Sequence, residues 1–375
     1  MKIGAVLKLT AFQIIALTLV CRILINFGFT PTVILPPSNQ DAWIVDLLTG
    51  VYIAICYLPL LFLCNRFRNI FITEYFEIIL GKWIGKLFAF LIALYLLSWP
   101  FTFTAVLLDF LKSSTLVTTP KYIIIALLLI ITAYSAYKGI NSIAKAAEIL
   151  IFYIVGIILI FTVLCLNQMD FSLFVPILRD SDLLTVNKSA LFFGAGRFSD
   201  GVFFLVMAAF LDKKYSVNKS FFIILALGTF LYMLMTVSTQ AVFGIELPQH
   251  MNFPYYEFTK KINIFNIFQR IEFLNIIGWI FGFLFKLSAF TALAALIMKE
   301  TFEVKSEKLF IIPMMLLVFI LLLTTGITSN PVYRKILFEY IYYLISFFTY
   351  VIPYIVVVVY FFRRKTIAKK LPNQL

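Results

Sequence analysis

Ionisable side chains are rare inside the apolar runs of this 375-residue sequence, so its chemistry has to be sought in the few that occur there. The densest group lies in LFFGAGRFSDGVFFLVMAAFLD, residues 191–212, where Gly194, Gly196, Arg197, Asp200 and Gly201 interrupt the run. Arg22 occupies the second half of an earlier run, and Lys286 stands near the middle of a later one, flanked by Gly278, Gly282 and Ser288. Lys145 and Glu148, three residues apart, share a helical face at the start of another. An ion at the centre of a membrane-crossing helix costs about 2.5–3.5 kcal/mol on insertion scales, which makes each of these a functional candidate.

Glycine weakens a helix by up to about 1 kcal/mol relative to alanine. Backbone that leaves the helical ladder at membrane depth is tolerated only where protein or a water-filled cavity receives its polar groups. Residues 191–212 are therefore expected to form a broken helix lining a site. Gly194, Gly196 and Gly201 supply the break, Asp200 contacts a ligand or ion, and Arg197 acts at a helix interface or gate. Lys286 is a ligand-side candidate and a possible partner of Asp200. Arg22 either snorkels to the outer interface or serves as a counter-charge in a discontinuous first helix that breaks near Gly28. Lys145 and Glu148 form either a local ion pair near the inner interface or a gate.

Catalysis finds little support. No paired carboxylates, metal cluster or nucleophile with a base gathers in one region, and the single His250 lies in a polar loop. Cys21, Cys56, Cys64 and Cys165 fall in or at the ends of apolar runs without metal-ligand spacing and read as packing residues. The Gly-Ala-Gly triplet follows no soluble strand, so no nucleotide site is read from it. Neither an enzyme nor a cofactor is expected. The net charge of +13 comes from basic clusters between apolar runs, which the positive-inside rule explains without nucleic acid.

The elements that must position these residues are helices in a lipid membrane. Of the sequence 62% is hydrophobic, with 43 Phe and 19 Tyr in long runs that lack the period-2 alternation of a barrel. Runs long enough to span about 30 Å of hydrocarbon lie at about 9–28, 43–63, 86–109, 120–138, 142–166, 189–211, 220–243, 270–298, 309–325 and 336–362. The expectation is an all-α integral membrane protein of ten transmembrane helices, a single polytopic domain over 1–375 with both termini cytoplasmic. The first run, about 20 residues without a cleavage site, reads as a retained helix. The segment NRFRNIFITEYFEIILGKWIGK suggests an amphipathic helix at the cytoplasmic membrane surface. Trp99-Pro100 suggests a kink in run three. The loop GIELPQHMNFPYYEFTKKINIFN either folds over an outward opening or forms an interfacial aromatic belt.

Several segments resemble the spore germination receptor B subunits, permease-like members of the amino acid/polyamine/organocation transporter superfamily. They are Asp41-Ala42-Trp43-Ile44, Gly139-Ile140 with Ala144-Lys145 and Glu148, Pro176-Ile177-Leu178, and Phe268-Gln269-Arg270-Ile271-Glu272. Their order and spacing cover nearly the whole chain. Two departures stand out: Phe198-Ser199-Asp200 where the family commonly reads Phe-Gly-Glu, and Ala144-Lys145 where it reads Ala-Arg, which keeps the charge and loses the forked donor. The resemblance implies LeuT-like inverted five-helix repeats, about 9–166 and 189–362, with helices 1 and 6 broken and the ligand between them beside helices 3 and 8. Half-helix ends suit a zwitterion. It also implies a nutrient germinant receptor of the spore inner membrane, binding a small molecule such as an amino acid and partnered by A and C subunits. The alternative is a proton-coupled amino acid or organocation transporter.

Overall fold

In hydrocarbon every backbone N–H and C=O has to be satisfied within its own segment, and a sequence this apolar accordingly folds as helices. The computed structural model describes residues 8–24, 27, 39–179, 181–197, 200–262, 271–327, 343–345 and 347–370, without the side chains of 193–197, 200 and 368–370. In chain order the helices are α1 (Ala11–Ile23), α2 (Ala42–Cys56), α3 (Leu58–Arg66), α4 (Ile72–Leu80), α5 (Lys82–Ser114), α6 (Lys121–Tyr137) and α7 (Ile140–Leu164). Then follow α8 (Leu183–Arg197), α9 (Asp200–Met207), α10 (Val217–Phe243), α11 (Pro254–Lys260), α12 (Glu272–Phe302), α13 (Lys308–Thr324) and α14 (Ile352–Lys370). Each of the ten apolar runs contains a helix or a helix pair. Among the described residues, five segments are long and apolar enough to cross a membrane, namely α5, α7, α10, α12 and Tyr343–Ile367.

Two runs depart from simple spans. Run two is a pair, α2 and α3, bent by 45°. Pro59, in the first turn of α3, has no N–H to give the preceding turn, so the chain re-starts its helix at Tyr57 instead of continuing it. Run six begins earlier than its hydropathy suggests. Asp182 caps α8, its carboxylate accepting from Thr185 N at 2.9 Å, so the helix already covers Leu183–Lys188. After α9 the run tightens to a 3-10 turn, Ala208–Phe210, and ends extended at Leu211.

α1 is opened by a reciprocal capping box between Thr10 and Gln13 and has only 13 residues, about 20 Å of axis. Just before it, Leu9 pairs in parallel with Leu211: Leu9 N donates to Phe210 O at 2.8 Å and Asp212 N to Leu9 O at 3.1 Å. The turn after α3 joins them. Asn69 Nδ2 donates to Ala209 O (3.3 Å) and Leu211 O (3.2 Å), and Arg68 to Tyr215 O at 2.6 Å. At this end runs one, two and six are thereby tied through backbone groups. The amphipathic helix α4 buries Ile72, Tyr75, Phe76 and Ile79 and is packed against α5 and α14. A Cβ at Gly85 would lie 2.6 Å from Glu77 backbone atoms, so glycine permits the tight α4–α5 corner.

At the other end, Asp41 is fully buried. Its carboxylate accepts from Leu178 N at 3.0 Å and from Ser181 Oγ at 2.7 Å, while Gln40 Nε2 donates to Pro176 O at 3.0 Å. The start of run two and the approach to run six are clasped together. The loop after α10 folds inward: Phe253 and Tyr256 pack edge-on to Phe110 at centroid distances of 5.2 and 5.1 Å.

Candidate functional site

α5 and α12 are the most enclosed of the long helices, and the site forms where both meet α1 and α9. α12 sends three donors to backbone carbonyls of run one. Asn275 Nδ2 reaches Phe27 O at 3.5 Å, Trp279 Nε1 reaches Leu24 O at 3.0 Å, and Lys286 Nζ reaches Cys21 O at 2.9 Å. The acceptors are three residues apart, and the donors share one face of α12. Gly278 and Gly282 lie on that face too. A Cβ on Gly282 would overlap the Leu24 side chain, so glycine allows the two helices to approach this closely.

Lys286 is fully buried. Its ammonium lies over three rings, Phe103 at 4.7 Å, Trp99 at 4.9 Å and Phe290 at 5.4 Å. Taking an ammonium out of water costs several kcal/mol. Desolvated cation–π contacts return about 2 kcal/mol or more, and a cation at the carbonyl end of a helix gains up to about 2 kcal/mol. The rings brace one another: Trp99 stacks on Phe103 at 5.1 Å, and Phe290 stacks on Phe203 of α9 at 4.8 Å. Cys21, Trp99 with Phe103, Phe203, and Lys286 with Phe290 come from runs one, three, six and eight respectively.

A second polar cluster surrounds Arg22, which is 1% exposed and does not snorkel. Its guanidinium lies 5.2 Å from the Tyr232 ring centre, and the Tyr232 hydroxyl donates to the Arg22 carbonyl. Gly228 makes room for it, since a Cβ there would be 2.5 Å from Arg22 Nε. One turn along α10, Thr236 Oγ1 donates to the buried Asp46 carboxylate at 2.5 Å.

The other sequence candidates are distributed as follows. Gly194 and Gly196 have helical backbone within α8, which runs to Arg197. Asp200 opens α9, and Phe198 and Ser199 between the two helices lie outside the described residues, as does Gly28. The side chains of Arg197 and Asp200 also lie outside the description, so an Asp200–Lys286 contact is not among the described ones. Gly201 lies in α9 facing Tyr57, whose ring a Cβ would overlap. Lys145 is exposed and Glu148 partly exposed, with no ion pair joining them among the described residues. Sequence reasoning missed the cage rings. Trp99 and Phe103, four apart on one helical face, were the available signal, diluted by the many other aromatics.

This bundle of apolar helices, with short helix ends and aromatic rings converging inside it, has the LeuT-like fold. Among solved structures the chain is similar to MhsT in complex with L-phenylalanine, with a TM-score of 0.69 over 94% of this chain and 89% of that one at 13% identity. A family model described as spore germination protein matches residues 8–332, and the chain belongs to that family. Relatives include spore germination protein KB of Bacillus subtilis, 24% identical over 83% of this chain and 86% of its own length. Spore germination protein XB of Bacillus anthracis is 24% identical over 79% and 81% respectively. The family is one of permease-like, multi-pass membrane proteins, not an enzyme class.

Proposed function

We propose that this chain is the B subunit of a nutrient germinant receptor in the spore inner membrane, with both termini in the cytoplasm and A and C subunits as partners. A small nutrient, an amino acid first among those to test, binds between runs one and six and shifts the bundle between two arrangements. The repeats at about 9–166 and 189–362 move relative to each other, and Asp200 and Lys286 flank the ligand. The observation that carries this reading is the meeting of runs one, three, six and eight around Lys286, in a chain belonging to the germination family. A ligand shifts such an equilibrium only through unequal affinity for its two states; from 1:99 to 99:1 it needs about 10⁴-fold, or roughly 5.5 kcal/mol.

The test is germination of spores that carry or lack this chain, across a panel of amino acids, sugars and nucleosides, beside uptake of the same compounds by vesicles holding the chain alone. A nutrient response that needs the chain and its partner genes, without uptake by the chain alone, supports the sensor. Concentrative uptake by the chain alone, with no germination phenotype, replaces it with the transporter.

A further inference from the structure

At the end of the bundle opposite the Leu9–Leu211 tie, a cavity of about 360 Å³ opens between the last turn of α5 and the segment around α11. Small-molecule sites usually measure about 300–1,000 Å³. Its apolar lining is Phe253 and Tyr256, both buried and both packed edge-on to Phe110. From Phe110 the ring contacts continue unbroken through Trp279 at 4.3 Å, Phe283 at 5.3 Å and Phe103 at 5.2 Å. A molecule in the cavity would therefore rest on a closed aromatic column.

The charged side chains lining the cavity are one of each sign, Glu257 and Lys260, 2.7 Å apart. The Lys260 ammonium also lies 4.4 Å from the Tyr256 ring centre. The pair is 38% and 40% exposed, and ion pairs so open to water add little to stability, so a ligand can part it at small cost. A lone anion or a lone cation meets one partner here and one repulsion, whereas a zwitterion finds a partner for each end. Ser113 and Ser114 line the same cavity at the carbonyl end of α5, where positive charge is favoured. Their hydroxyls donate to Phe110 O at 3.0 and 2.7 Å and keep lone pairs that can accept from an ammonium.

We propose that this cavity is a second binding site, separate from the one between runs one and six, for a free α-amino acid with an apolar side chain. The ligand ammonium replaces Lys260 at the Glu257 carboxylate, the ligand carboxylate replaces Glu257 at the Lys260 ammonium, and the side chain lies on Phe253 and Tyr256. The site is read from binding to the purified chain and does not depend on the nutrient-sensing reading, so either can fail without the other. A crevice with an ordinary ion pair would hold no amino acid, or would hold it regardless of the two charges.

The experiment measures equilibrium dialysis of labelled L-leucine against the purified full-length chain in detergent. Isoamylamine, which lacks the carboxylate, and isocaproate, which lacks the ammonium, serve as competitors. Saturable leucine binding is expected, with each analogue competing about tenfold or more weakly than unlabelled leucine because one charged contact is gone. Glu257→Gln and Lys260→Gln are each expected to weaken leucine by a similar factor at unchanged Tm. No saturable leucine binding to the wild type overturns the proposal, and so does undiminished binding to both Gln variants. If a Gln variant loses Tm, Ser113→Trp decides, because it fills the cavity and leaves both charges in place. Loss of one bound equivalent of leucine in Ser113→Trp supports the site, and a full complement of bound leucine overturns it.

Discussion

At the scale of single residues, the helix contacts turn on places where a side chain is absent or a charge is enclosed. Gly201 is the sharpest case. Tyr57 is 1% exposed, stacked on Phe221 at 5.6 Å and edge-on to Tyr350 at 5.5 Å, so its ring has nowhere to move when a methyl group appears at Gly201. Gly201→Ala is expected to destabilise the chain by about 1–3 kcal/mol, the range for overpacking. A lower Tm, partly recovered by adding Tyr57→Leu, is the result that checks it. Unchanged melting of Gly201→Ala would mean the ring is free to yield. Much of this scale was legible in sequence only as candidacy. Lys286 stood out because a lysine in an apolar run is costly, but nothing in residue order showed that its ammonium would meet the Cys21 carbonyl, 265 positions earlier. Arg22 was equally visible, yet whether it snorkels or is enclosed depends on Gly228 and Tyr232, which belong to another helix.

At the scale of elements, hydropathy located the runs and missed what joins them. Run two bends because Pro59 stands in the first turn of α3, two residues after its cap at Tyr57. Run six starts at Leu183 because Asp182 supplies a cap, a local signal lying outside the apolar stretch. The segments Asp41-Ala42-Trp43 and Pro176-Ile177-Leu178 were legible as family tokens without a reason for their existence. The structure supplies one, since Asp41 accepts from the Leu178 N–H and the Ser181 hydroxyl while Gln40 holds the Pro176 carbonyl. Asp41→Ala removes the charged acceptor of the partly buried Leu178 N–H and of the Ser181 hydroxyl, a loss of up to about 3 kcal/mol. The expected outcome is a lower Tm with Asp41→Asn retaining more stability than Asp41→Ala, because the amide oxygen still accepts one bond. Equal melting of Asp41→Ala and wild type would mean the clasp contributes nothing.

At the scale of the whole molecule, the two ties lie at opposite ends of runs two and six, and the first of them also holds the start of run one. One joins Leu9, Leu211 and Asn69, and the other joins Asp41 to Leu178 and Ser181. Between them sits the convergence around Lys286. The all-helical class and the LeuT-like fold were legible from apolar run length and the family tokens; the tie between Leu9 and Leu211 was not, because backbone pairing leaves no mark in side-chain identity. In the proposed function a nutrient held between runs one and six biases the bundle through these ties, and Asp200 at the start of α9 is the residue proposed to contact it. The most direct test is the nutrient response of spores carrying Asp200→Asn, with the chain quantified in the membrane fraction. A lost charged hydrogen bond of about 1.5–3 kcal/mol corresponds to roughly a ten- to hundredfold rise in the half-maximal nutrient concentration. That rise at unchanged chain abundance is the predicted result, and a wild-type response across the whole nutrient panel would contradict it.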